Sequence, residues 1–171
     1  MRYFAPLVFV TITAVLAACG GDDTTDAPPT CGIDGTGAIW CWGSNATSPA
    51  AASAALRPAR IMLPGNARAQ SVAAGEYHAC ATTVDARVFC WGRNHPRQTG
   101  ALTGAMLRTP VEVALPAGMV PTLVHTGALT TCTSATTAGD LYCWDSNVFG
   151  GLGVGDYIDS PWPRKVQNPA P

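Results

Sequence analysis

Charge is the scarcest ingredient of this chain. Asp, Glu, Lys and Arg make up 12% of it, against roughly 25% in an ordinary soluble domain. Ten Lys+Arg face eleven Asp+Glu, for a net charge of −1, and no basic run breaks the balance. Without such a tract there is nothing to neutralise phosphates, which excludes nucleic acid as a partner. The one strongly apolar stretch, Tyr3 to Ala18, has sixteen residues, short of the ~20 that a spanning helix needs. Metal-ligand spacing is also missing: no cysteines stand at C-x₂₋₄-C, and the three histidines do not recur in phase. Ser44 and Ser146 lack a histidine and an acid in a catalytic arrangement. Asp156 and Asp159 lack the regular ligand spacing of a calcium loop and read as a polar turn. These absences leave no catalytic residue, metal or cofactor to name, and an enzyme is not expected.

What the chain does have is repetition. One phrase occurs three times: Cys31 to Cys41-Trp42-Gly43-Ser44-Asn45, Cys80 to Cys90-Trp91-Gly92-Arg93-Asn94, and Cys132 to Cys143-Trp144-Asp145-Ser146-Asn147. Forty-nine residues separate Cys41 from Cys90, and fifty-three separate Cys90 from Cys143. A period near fifty points to a propeller or solenoid unit. Eighteen Gly and fourteen Pro, mostly set singly between short apolar runs, suit strands and turns better than long helices.

Each copy holds two cysteines around a turn, and folding it as an antiparallel hairpin sets them opposite one another. This selects three local bridges: Cys31–Cys41, Cys80–Cys90 and Cys132–Cys143. Loops this short give roughly 2.5–3 kcal/mol each on chain-entropy grounds. An aliphatic and then an aromatic residue precede each second cysteine: Ile39-Trp40, Val88-Phe89 and Leu141-Tyr142. Strand alternation then gives every hairpin an aliphatic–sulfur face and an aromatic face. Both are expected to be buried between packed sheets. Proline-flanked apolar strands follow in each copy, and their prolines fit edge positions where no ladder donor is lost.

The seventh cysteine stands apart. Met1-Arg2 and the apolar stretch read as a secretory signal. The stretch ends in Leu16-Ala17-Ala18-Cys19, which resembles the lipobox of bacterial lipoproteins. That resemblance implies cleavage before Cys19 and acylation of its sulfur and then its amine, the multiple chains that stable anchoring requires. Residues 1–18 are thus expected to be a signal peptide and 19–30 a solvated tether. Gly20 follows the cysteine where the inner-membrane retention signal would have Asp, which favours an outer-membrane or surface address. Export also places the chain where disulfides persist.

The run Val72-Ala73-Ala74-Gly75-Glu76-Tyr77-His78-Ala79-Cys80 leads to Val88-Phe89-Cys90-Trp91-Gly92-x-Asn94, with Gly150-x-Leu152-Gly153 in the later copy. This constellation resembles the regulator of chromosome condensation repeat, in its cysteine-bearing bacterial form, across about residues 31 to 167. The resemblance implies an all-β fold, a partial β-propeller of about three blades, each with a disulfide-linked hairpin. Repeats are expected at 31–66 (incomplete, without its leading strand), 67–118 and 119–171. Trp42, Gly43, Asn45, Gly75, His78, Trp91, Gly92, Asn94, Gly127, Trp144, Asn147, Gly150 and Gly153 are its motif residues, with structural roles. Asp145 departs from the pattern by standing where the other copies have Gly43 and Gly92; Asp takes a left-handed conformation less readily than glycine.

Three copies fall short of the roughly 4–8 blades of a closed ring. A fragment of a longer propeller, an arc completed by self-association and a degenerate relative all stay open. The function implied is a non-enzymatic, extracytoplasmic binding module that meets an unknown protein, with an inhibitor-like role as the alternative. Guanine-nucleotide exchange, the activity of the family's nuclear member, conflicts with export and with the chain's length.

Overall fold

The computed structural model describes residues 29–43, 55–94, 99–100, 106–136 and 139–167. The signal peptide, Cys19 and Asn45 lie outside them, as does the tether as far as residue 28. Eleven strands are described. They are β1 (Thr30–Ile33), β2 (Ile39–Gly43), β3 (Ala55–Ile61), β4 (Ala69–Ala74), β5 (His78–Thr83), β6 (Val88–Arg93), β7 (Met106–Glu112), β8 (Pro121–Thr126), β9 (Thr130–Ala135), β10 (Leu141–Asp145) and β11 (Ser160–Lys165). They form three antiparallel sheets ordered β1-β2-β3, β4-β5-β6-β7 and β8-β9-β10-β11. The fold is therefore all-β, an arc of three blades, and the first has three strands because nothing precedes β1 at its inner edge among the described residues.

The cysteine hairpins set the register. Cys31 pairs with Cys41, Cys80 with Cys90 and Cys132 with Cys143 as direct cross-strand neighbours. Each pair is bridged, with its Cα atoms 4.1 Å apart. The second hairpin turns through Val84-Asp85-Ala86 without a glycine, so Ala86 takes φ 63° itself. The turn closes by donation from Ala86 N–H to the Thr83 carbonyl at 3.0 Å. Prolines 58, 110, 161 and 163 lie within β3, β7 and β11, the outer edge strands of their sheets. An edge strand has unpaired positions, so the missing N–H costs no ladder bond there.

Packing between sheets follows one rule. The aliphatic–sulfur face of one sheet meets the aromatic face of the next. Ile39, Cys41, Ile61 and Leu63 of the first sheet pack on Ala79, Ala81, Phe89 and Trp91 of the second. Cys80, Val88, Cys90 and Val113 of the second then pack on Val124 and Trp144 of the third. The middle strands β5 and β6 are consequently buried on both faces. At the inner strands the sheets converge closely: a methyl group on Gly75 would overlap the carbonyl of Gly127, its counterpart one repeat later.

Candidate functional site

The residue after each motif tryptophan sits at a bulge. Gly43, Gly92 and Asp145 have φ of 97°, 109° and 100°, and the pairing with the outer strand shifts register at each of them. One extra residue bends the strand there and turns the chain outward. Glycine takes this conformation without strain, whereas Asp145 holds it with a side chain attached.

Two residues further on, the motif asparagine seats the outgoing loop. Asn94 Oδ1 accepts from the Thr99 N–H at 3.1 Å and from its hydroxyl at 2.6 Å. Asn147 Oδ1 accepts from the Leu152 N–H at 3.0 Å. Both side chains are buried, so an amide oxygen supplies an acceptor that solvent cannot. Gly100 (φ 72°) and Gly153 (φ 64°) complete the two seats, and a methyl on either would press on Val113 or Val166 at 3.0–3.1 Å.

In the third sheet this seat carries a fully described loop, from Ser146 to Asp159, between β10 and β11. Leu152 and Val154 anchor it by packing on Cys143 beside Cys132 and Val166. Asp159 Oδ1 accepts from the Asn147 N–H at 2.6 Å, and Asn147 Nδ2 donates to the Asp156 carbonyl at 2.7 Å. Asp156 also accepts from the Ile158 N–H at 3.0 Å and from Arg164 at 2.7 and 3.1 Å. Those bonds, the Arg164 guanidinium first, hold the Asp156 carboxyl down at about 2. Asp156 and Asp159 thus act as internal fasteners of the loop. At the glycine turn, Gly150 takes φ 69° beside the Tyr157 ring.

Upon this fastened frame four apolar side chains face solvent: Val148, Phe149, Tyr157 and Ile158, with Phe149 95% exposed. Motif reading missed them, because it weights what repeats and these residues belong to one copy. The available signal was an apolar pair on each side of a glycine-rich, asparagine-seated turn.

Of the other motif residues, His78, Trp91 and Trp144 lie between sheets. His78 Nε2 is 2.6 Å from the Thr131 hydroxyl of the third sheet, and that hydroxyl donates to Asp145 Oδ2 at 3.3 Å. All three residues are buried. Burial holds the His78 imidazole down at about 4. Burial also pushes the Asp145 carboxyl up to about 8, with the Thr131 bond opposing it and the charge of Asp159 adding to it. At neutral pH the line is therefore uncharged, a structural cross-tie between sheets. Trp91 and Trp144 are fully buried in the two junctions, while Trp42 is half-buried.

Comparison with known proteins agrees with this geometry. Residues 69–95 match the family model of the regulator of chromosome condensation (RCC1) repeat. The chain is 31% identical over 147 residues to the ultraviolet-B receptor UVR8 of Arabidopsis thaliana, which covers 80% of this chain and 33% of that protein. It is 28% identical over 114 residues to the probable E3 ubiquitin-protein ligase HERC4 of Homo sapiens, covering 63% of this chain and 11% of the ligase. Among solved structures, human WBSCR16 superposes with a TM-score of 0.71 at 17% identity, over 83% of this chain and 38% of that one. Prp20p of Saccharomyces cerevisiae, a protein that binds Gsp1p and histones, superposes at 0.70 and 20% identity, over 84% of this chain and 37% of that one. The likeness to these structures is one of fold, and the chain spans about a third of UVR8 and of both solved chains.

Proposed function

We propose that this chain is a non-enzymatic protein-interaction module that meets its partner through the β10–β11 loop. The observation that carries the reading is the pairing of a fastened loop with four uncovered apolar side chains. Rigid presentation lowers the ordering cost of binding, and exposed aromatics are the side chains that anchor interfaces. The structural relative Prp20p binds proteins, which supports a binding role by analogy only. The lipobox-like Leu16 to Cys19 supports an exported, lipid-anchored address, with the loop turned toward an extracytoplasmic protein.

The test places a photo-crosslinking residue at Phe149 in the intact chain and compares it with the same chain carrying Tyr157→Ala and Ile158→Ala. A discrete adduct from envelope extract, lost in the second chain while all three disulfides persist, is the expected result. Adducts that are equal in both chains would refute the loop. Cys19→Ser should move the protein from the membrane fraction to the soluble one, and retention of a cleaved form in the membrane would refute the anchor.

A further inference from the structure

The two junctions inside the chain follow the same packing rule, a sulfur face against an aromatic face, and among the described residues the aromatic face of the first sheet and the sulfur face of the third have no such partner. At the first junction Trp91 is 0% exposed; at the second, Trp144 is 0% exposed. Their counterpart on the first sheet, Trp42, is half-buried, with Trp40 beside it on the same aromatic face. At the other end, Leu141 takes the place of Val88. Val88 is covered by the third sheet and 0% exposed, whereas Leu141 is 39% exposed. Leu123 takes the place of Ser71, whose hydroxyl accepts from the Val124 N–H across the second junction at 3.3 Å. Leu123 is 53% exposed.

The glycine pair repeats the pattern. Gly75 is buried against Gly127, whereas Gly127 is exposed and the nearest atom to a methyl placed there is Thr130 O of its own sheet, at 3.6 Å. The third sheet therefore presents, uncovered, the kind of socket that on the second sheet is filled by the third. The charges on these faces lie at the outer strands: Arg60 stands opposite Trp40, as Glu112 stands opposite Phe89 at the first junction, and Arg164 stands opposite Cys143, already paired with Asp156 at 2.7 Å.

We propose that the aliphatic–sulfur face of the third sheet docks on the aromatic face of the first sheet of a second copy of this chain. The contact is head to tail, a heterologous interface that continues the packing rule of the two internal junctions. Its smallest product is a pair with six sheets in sequence, within the roughly 4–8 blades of propellers. The proposal concerns the sheet faces and does not rest on the β10–β11 loop as a binding site.

Heterologous contacts allow complementation, which self-complementary contacts do not. One variant of the full chain, Leu123→Glu with Leu141→Glu, spoils the donor face at two exposed positions. The other spoils the acceptor face at Trp42→Glu, with Thr30→Glu as a milder substitute because exposed Thr30 pairs with Trp42 across β1 and β2. Non-reducing peptide maps confirm that each variant has its three bridges. Sedimentation should then show the wild-type chain associated and each variant alone with its dissociation constant raised about a hundredfold, the effect of an unpaired carboxylate in an interface. An equimolar mixture of the two variants should recover a dimer that joins one intact donor face to one intact acceptor face. A monomeric wild type would overturn the proposal. So would association that survives in either variant alone, or a mixture no more associated than its components.

Discussion

The two junctions within the chain differ in what fills them. Between the first and second sheets the contact is apolar throughout its core: Ile39, Cys41, Ile61 and Leu63 against two alanines, Phe89 and Trp91. Between the second and third, a similar apolar cluster is threaded by polar ties. Thr82 donates to the Thr122 carbonyl at 2.8 Å, Ser71 receives the Val124 N–H, and His78 is joined through Thr131 to Asp145. Apolar area supplies stability but tolerates sliding. Directional bonds fix which residue faces which, and they do so only while each buried partner is satisfied. The first junction is thus held by volume at its core, with bonds only at its rim, where the Ala69 N–H and Arg68 Nε donate to the Gly37 and Thr36 carbonyls at 2.9 Å, and the second by volume together with side-chain register inside the cluster.

The largest test of this contrast is Trp91→Ala, which empties the apolar junction and should cost about 3–5 kcal/mol in denaturant unfolding of the oxidised chain. A loss below ~1 kcal/mol would mean that the first junction contributes little. Gly75→Ala comes next, because its methyl group overlaps the Gly127 carbonyl and forces the second and third sheets apart. About 1–3 kcal/mol is expected, with hydrogen exchange accelerated at the second junction and not at the first. Equal acceleration at both junctions would break the distinction.

Asp145→Gly sharpens the comparison through pH. Folded Asp145 keeps its proton up to about 8, whereas the unfolded side chain releases it at 3.8. Its contribution is therefore full below 3.8 and lost as pH rises toward 8. His78 acts in the opposite sense: its contribution is full above 6.5 and lost as pH falls toward about 4. The two slopes oppose one another between about 4 and 6.5, and above 6.5 only Asp145 acts. Stability of the native chain should fall from pH 6.5 to 8. In Asp145→Gly that fall should flatten, and relief of the positive-φ strain should add ~1 kcal/mol or more at pH 8. An unchanged slope would show that Asp145 is not the titrating group. The smallest effect is expected of Thr82→Val, which removes one cross-sheet bond at a cost of about 1 kcal/mol.

Much of the architecture was legible in the residues. Cysteines ten or eleven positions apart around a turn can bridge as direct neighbours only in a hairpin, so they gave pairing and register together. Alternation around Ile39, Val88 and Leu141 showed that the strands have two apolar faces. Among the described residues the first sheet has three strands and the other two have four. The site was less legible. Asn94 and Asn147 were visible as motif residues, but the backbone groups they hold lie five residues on in loops whose course depends on the bulge. Phe149 and Tyr157 belong to one copy only, so a reading of what repeats passes over them.

The chain by itself determined its strands, its three cross-links and the two-faced chemistry of each sheet, because those depend on spacing within about fifteen residues. Only the tertiary structure decided that sulfur faces meet aromatic faces, that Gly75 lies against Gly127, and that His78, Thr131 and Asp145 form one buried line. The cross-sheet pairs among them, such as Gly75 with Gly127 and His78 with Thr131, lie about fifty positions apart, where no local periodicity links partners. What brings them together is the stacking of whole sheets, which buries apolar faces first and leaves the polar groups to find one another within the space that remains.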